Sequence, residues 1–145
     1  MFQGEINRRR GIVLVRLTGR LQPSEIGKLE EFGRKIDPRE GPLDIIVDFS
    51  AVEEIDMPVN YIAQRGEKAP LWPGRQRVFV APQPVLHALM RLFASYQALH
   101  GMGKPVVVTR LDEALERLDT SLDEFQAIDR EPPTAVARDA CPACS

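Results

Sequence analysis

The 145-residue chain has only two cysteines, and both fall in its last five positions, as Cys141-Pro142-Ala143-Cys144. The remainder has no cysteine, so no disulfide framework supports the fold and apolar burial must do so. Histidine is equally scarce, limited to His87 and His100. Their spacing suggests neither a catalytic triad nor a metal set, and both read as surface or helix-end residues. A surplus of positive charge is also missing: the formal net charge is −2, whereas nucleic-acid binding normally shows a strongly basic balance. No apolar run reaches the roughly 18–20 residues needed to span a bilayer. The opening "MFQGEINRRR" lacks the apolar core of a signal peptide. The phosphate-cradling patterns GxxxxGK(S/T) and GxGxxG do not occur, and "GMGK" at 101–104 precedes a strand-like run, which is the wrong context. These absences point to a cytoplasmic domain with no transmembrane segment, no nucleic-acid partner and no bound cofactor.

What is present is ordinary for a globular domain: 43% apolar and 28% charged residues. The charge is uneven, because residues 119–145 carry two basic and six acidic side chains. Phe2–Ile6 and Ile12–Gly19 read as two strands of a hairpin around a turn that holds Arg8, Arg9 and Arg10, which a solvated turn explains. In "EIGKLEEFGRKI", Ile26, Leu29, Phe32 and Ile36 recur at helical spacing behind Ser24, a candidate N-cap. Leu43–Phe49 is a nearly continuous apolar strand. An acidic loop follows, then a helix from Pro58 to about Lys68. Arg75–Ala81 resumes as strand. Pro82–His100 is the strongest helix, with Leu86, Leu89, Met90, Phe93, Tyr96 and Leu99 on one broad face. The strand "KPVVVTR" and the helix "LDEALERL" close the series, with Thr109 or Asp112 as its cap. The order ββαβαβαβα predicts an α/β domain over residues 1–118: a mixed, largely parallel sheet with helices packed against it. Residues 119–145 read as an acidic, disordered tail with a short helical extension at Leu122–Ile128.

The element order, the stretch "DFSAVEEIDMPV" (48–59), the late helix "VLHALMRLFASYQAL" (85–99) and the closing "LDEALERL" (111–118) together resemble the STAS domain of bacterial anti-sigma-factor antagonists, and within it the SpoIIAA-like branch. The resemblance covers roughly residues 2–118. It implies a non-enzymatic regulatory module that binds a protein partner through the loop before a helix. In those antagonists the loop ends in Asp-Ser-Ser-Gly, and phosphorylation of a serine adds charge that blocks docking. Here Asp56 is kept, but Met57 and Pro58 fill the serine positions and Val59 replaces the glycine. The usual phospho-switch is therefore expected to be absent. Ser50 lies too early to match.

The docking residues implied by the resemblance are Asp56, Met57, Pro58, Asn60, Tyr61 and Arg65, with an exposed Met57 as apolar contact. An alternative places a small apolar, lipid-like ligand in a gap between the long helix and the sheet. Met90, Phe93 and Tyr96, with Met57 and Trp72, are the residues that could line it. Asp48, Glu53, Glu54 and Asp56 read as a helix cap (Asp56) and solvated acids rather than paired catalytic carboxylates or metal ligands. The terminal CxxC reads as an incidental pair, since no second pair completes a zinc site. Homodimerisation is left open.

Overall fold

Strand β2 (Ile12–Leu21) explains the architecture. Ile12 and Leu14 point to one side, Val13, Val15 and Leu17 to the other, and all five are buried. A strand covered on both faces needs apolar residues at both parities, which is why the run "IVLV" shows no alternation. The computed structural model describes residues 2–128. Its other elements are β1 (Phe2–Asn7), α1 (Pro23–Arg34), β3 (Asp44–Ile55), α2 (Val59–Gly66), β4 (Arg77–Val80), α3 (Pro84–Leu99), β5 (Val106–Val108), α4 (Leu111–Arg117) and β6 (Gln126–Ala127), with 3-10 turns at Pro38–Glu40 and Leu122–Glu124. The six-stranded sheet runs β5-β4-β3-β2-β1-β6. The β2–β3, β3–β4 and β4–β5 pairs are parallel, while β1–β2 and β1–β6 are antiparallel. The expected mixed, largely parallel α/β sheet is thus the observed one.

Two cores sandwich the sheet. On one face Ile26, Leu29 and Phe32 of α1, Ile62 of α2 and Leu86 and Met90 of α3 pack with Val13, Val15 and Val47. On the other face Ala114 and Leu115 of α4, with Leu118 and Phe125, pack on Ile12, Leu14, Ile46, Val78 and Val80. Helix α4 is capped by Glu113, not by the side chains of Thr109 or Asp112. The Glu113 carboxylate accepts from Thr109 N–H (3.1 Å), the Thr109 hydroxyl (3.0 Å) and Arg110 N–H (3.1 Å). The bond from the Thr109 amide is the largest cause holding its pKa below the usual range.

Other expectations are also corrected. The acidic stretch after Phe49 is not a loop: β3 runs on to Ile55 because β2 extends beside it, pairing Thr18 with Ala51 and Leu21 with Ile55. Its outer edge is satisfied in part by Gln83, whose Nε2 donates to Phe49 O (2.8 Å) and Val52 O (2.9 Å). Helix α1 starts at Pro23 with Gln22 as N-cap, so Ser24 is already inside its first turn. Proline suits that position because its missing N–H has no intrahelical partner to lose. Leu99 is 78% exposed, and the interior place near the end of α3 is taken by Gln97. Finally, the folded body passes the boundary drawn at Leu118. Phe125 is buried, β6 pairs with β1, and Ile128 N–H donates to Gly4 O (3.0 Å). The segment at 126–127 is therefore strand, not helix, because β1 offers it an open edge. Asn7 secures the same segment, donating to Thr120 Oγ1 (2.9 Å) and Glu124 Oε1 (3.0 Å). The CxxC and the rest of the acidic tail lie outside the described residues.

Helices α2 and α3 meet at Gly66, where a Cβ would stand 2.3 Å from Tyr96 Cβ. That atom is fixed to the α3 backbone and cannot rotate away. Gly66→Ala is expected to cost about 2 kcal/mol through overpacking. A Cβ on Gly33 would meet Leu71 Cδ2 at 2.4 Å, but that is the far end of an exposed side chain. Gly33→Ala should be neutral or stabilise by up to about 1 kcal/mol through helix propensity. Urea denaturation of the two variants checks the contrast.

Candidate functional site

Between the sheet and the three helices on its first face lies a cavity of about 360 Å³. Its floor is Val13 and Val15 of β2, Ile45 and Val47 of β3 and Phe79 of β4. Its walls are Leu29, Phe32 and Ile36 from the α1 side and Phe93 of α3, and Ala69–Trp72 cover one end. Strand parity turns Ile45 and Val47 toward this space. Trp72, flanked by Pro70 and Pro73, packs against this core and so anchors its loop.

The polar lining is one-sided. Glu30 is the single carboxylate, against Arg34, Arg65, Lys68 and Arg77, and Gln97 completes the set. Glu30 is shared between two guanidiniums, at 2.5 Å from Arg65 and 3.9 Å from Arg34. Arg77 differs from these two. Its Nη1 donates to Gln97 Oε1 and its Nη2 to Met102 O (2.6 Å), both neutral acceptors. Desolvation lowers its pKa from the ordinary arginine value, although no arginine deprotonates in the working pH range. Gln97, 1% exposed, ties this corner together by donating to Gly66 O (2.8 Å) and Lys68 O (3.0 Å). The lining includes no serine, threonine, cysteine or histidine. It offers shape, an apolar surface and fixed positive charge.

The six expected docking residues do not form one surface. Asp56, Pro58 and Asn60 are exposed at the start of α2. Asp56 pairs with Arg20 at 2.7 Å and does not cap the helix, whose N-cap is Pro58. Met57 is 8% exposed and belongs to the core with Val52, Ile62, Leu86 and Met90, so it offers no apolar contact to a partner. The chain turns from β3 into α2 there, and the side chain between exposed Asp56 and Pro58 is the one aimed inward. Tyr61 is half-buried, and burial raises its pKa. Arg65 faces the cavity wall rather than the loop. Of the aromatic set, Phe93 and Trp72 reach the cavity, whereas Met57, Met90 and Tyr96 do not line it.

Other candidates disperse. Asp48 is buried, and its Oδ1 accepts from Ser50 N–H (2.9 Å) and Ser50 Oγ (2.6 Å), so it braces β3 at its register shift against β2. Among the described residues no cluster of three or more His, Cys, Asp or Glu side chains could hold a metal ion. Arg8 pairs with Glu40 (2.8 Å) and Arg10 with Asp119 (3.0 Å), which fits a hairpin turn held by surface ion pairs. No described helix is long and apolar enough to cross a membrane. No family model matches the chain, nor does any curated protein.

Arg77 and Gln97 escaped the sequence reading, though each left a signal. Gln97 interrupts the stripe Leu86, Met90, Ala94 that α3 buries, and a polar residue on a buried stripe must have partners. Arg77 shares the parity of Phe79 on β4, the face toward α3.

Proposed function

We propose that the chain is a non-enzymatic, STAS-like binding domain that takes a small apolar ligand between its sheet and helices α1, α2 and α3. The observation that carries this reading is the cavity, which lies at the lower end of the roughly 300–1,000 Å³ common for ligand pockets. The element order supports the STAS-like assignment, and with it a regulatory role in a bacterial cytoplasm. The size favours a single medium-length chain over a phospholipid.

Decan-1-ol tests the reading. It should raise the midpoint of thermal unfolding saturably, as a ligand that binds only the folded state must. Ile45→Phe, which fills the floor, should remove that response while leaving the unliganded protein as stable or up to about 1 kcal/mol more so. A midpoint indifferent to decan-1-ol, or equally responsive in both proteins, would sink the cavity as a ligand site.

A second reading keeps a protein partner at the start of α2. Val59 favours it, because it is 58% exposed in the first turn beside exposed Pro58 and Asn60.

A further inference from the structure

The cavity's charge specifies its ligand further than its apolar walls do. Four cations and one carboxylate line it, and the carboxylate is already divided between Arg34 and Arg65. Arg77 is set into the wall with neutral acceptors alone, and two of its five N–H groups account for both bonds. Arg77 is half-buried, and a partly desolvated guanidinium without a counter-charge is favourably met by an anion. It also borders a second, adjoining cleft of about 450 Å³, lined by Arg75 and Lys104. Arg77 therefore stands where the apolar cavity meets a basic opening. Arg75 is neutralised by Asp44 at 3.0 Å, which leaves Arg77 as the guanidinium of that border with no carboxylate among the described residues.

We infer that the ligand is an anionic amphiphile, with a carboxylate or phosphate monoester seated on Arg77 and a single aliphatic tail along Val15, Val47 and Phe79. The inference rests on the cavity reading above and adds the head group. A guanidinium fork matches both anions, each of which can accept two N–H bonds. The cavity of about 360 Å³ holds about a dozen groups of water-like volume, near 30 Å³ each. That corresponds to a tail of about eight to ten carbons with its head group outside the apolar part.

Trp72 is the single tryptophan and lines the cavity, so its fluorescence reports occupancy. The full chain would be titrated below micelle formation with sodium decanoate, decyl phosphate and decan-1-ol, which share one tail. One or both anions should bind about tenfold or more tighter than the alcohol, as a charge-assisted bidentate pair warrants, and the tighter anion identifies the head group. Arg77→Gln should bring the anions down to the level of the alcohol. Since Arg77 also holds Gln97 and Met102, Lys68→Glu provides a second variant at an exposed rim position. It should weaken the anions several-fold and decan-1-ol far less. Equal binding of all three probes would overturn the head-group inference and leave the apolar cavity standing. No saturable response to any of them would remove the cavity reading itself.

Discussion

Met57→Asp should destabilise the domain by about 4 kcal/mol, a large share of the roughly 5–15 kcal/mol that holds a domain of this size together. Two losses combine. A buried methionine leaves a core whose large-to-small substitutions cost about 2–5 kcal/mol, and a carboxylate enters a place without a cation to meet it. Met57 is 8% exposed and packs in the cluster that contains Ile62, Leu86 and Met90. The urea midpoint should fall with little change in slope. The sign with pH is also fixed. Burial raises the pKa of the introduced carboxyl above its unfolded value of about 3.9, so the native variant binds more protons than the unfolded chain in the interval between the two. The deficit relative to the parent is full above the raised pKa and shrinks as pH falls toward about 4. A deficit below about 1 kcal/mol would mean that the side chain escapes to the surface and that Met57 is available to a partner after all. Substitution here thus cannot imitate a phosphoserine. Val59→Asp can probe docking instead: at an exposed first-turn position it should alter stability by less than about 0.5 kcal/mol. Loss of a protein partner with Val59→Asp alone would support the second reading.

Gln97→Leu should cost about 3 kcal/mol despite its greater hydrophobicity and similar size. The substitution leaves Gly66 O and Lys68 O without the Nε2 donor that reaches both, and it takes from Arg77 one of two neutral acceptors. Each buried polar group left unsatisfied costs about 1–3 kcal/mol, and a charged one more. The loss should be felt at the end of α2, so amide exchange should accelerate there before the β2–β3 ladder opens. A stability change near zero would mean that water replaces the amide, in which case Gln97 is not the tie between α2, α3 and β4.

Hydrophobic patterning and element order pointed to the α/β class, the opening hairpin, a largely parallel sheet and the inward faces of the helices, Leu99 excepted; which strands pair, and in what order, came from the fold. Those features depend on local period and on the rule that a strand buried on both sides is apolar throughout, and β2 and β3 carry both signals in residues adjacent along the chain. The extension of β3 to Ile55 was not legible, because "SAVEEI" is acidic and becomes strand through pairing with Thr18–Leu21, more than thirty positions earlier. Strand β6 was hidden for the same reason: two residues have no period, and an edge of β1 decides them.

The site divides along that line. The alternative of a gap between the long helix and the sheet came from the SpoIIAA-like, SEC14-type branch of the resemblance and from the apolar faces of the helices, but the cavity's charge could not be read from either. Arg34, Arg65, Lys68 and Arg77 come from α1, α2, the loop after it and β4, and only packing brings them around one space. Met57 shows the reverse case. The resemblance placed it on a docking loop and so implied exposure, whereas the turn between β3 and α2 sends that one side chain inward. Period and composition act within a few residues and survive in the sequence. Burial of a single side chain and the balance of charge around a cavity are sums over distant segments, which the tertiary fold alone assembles.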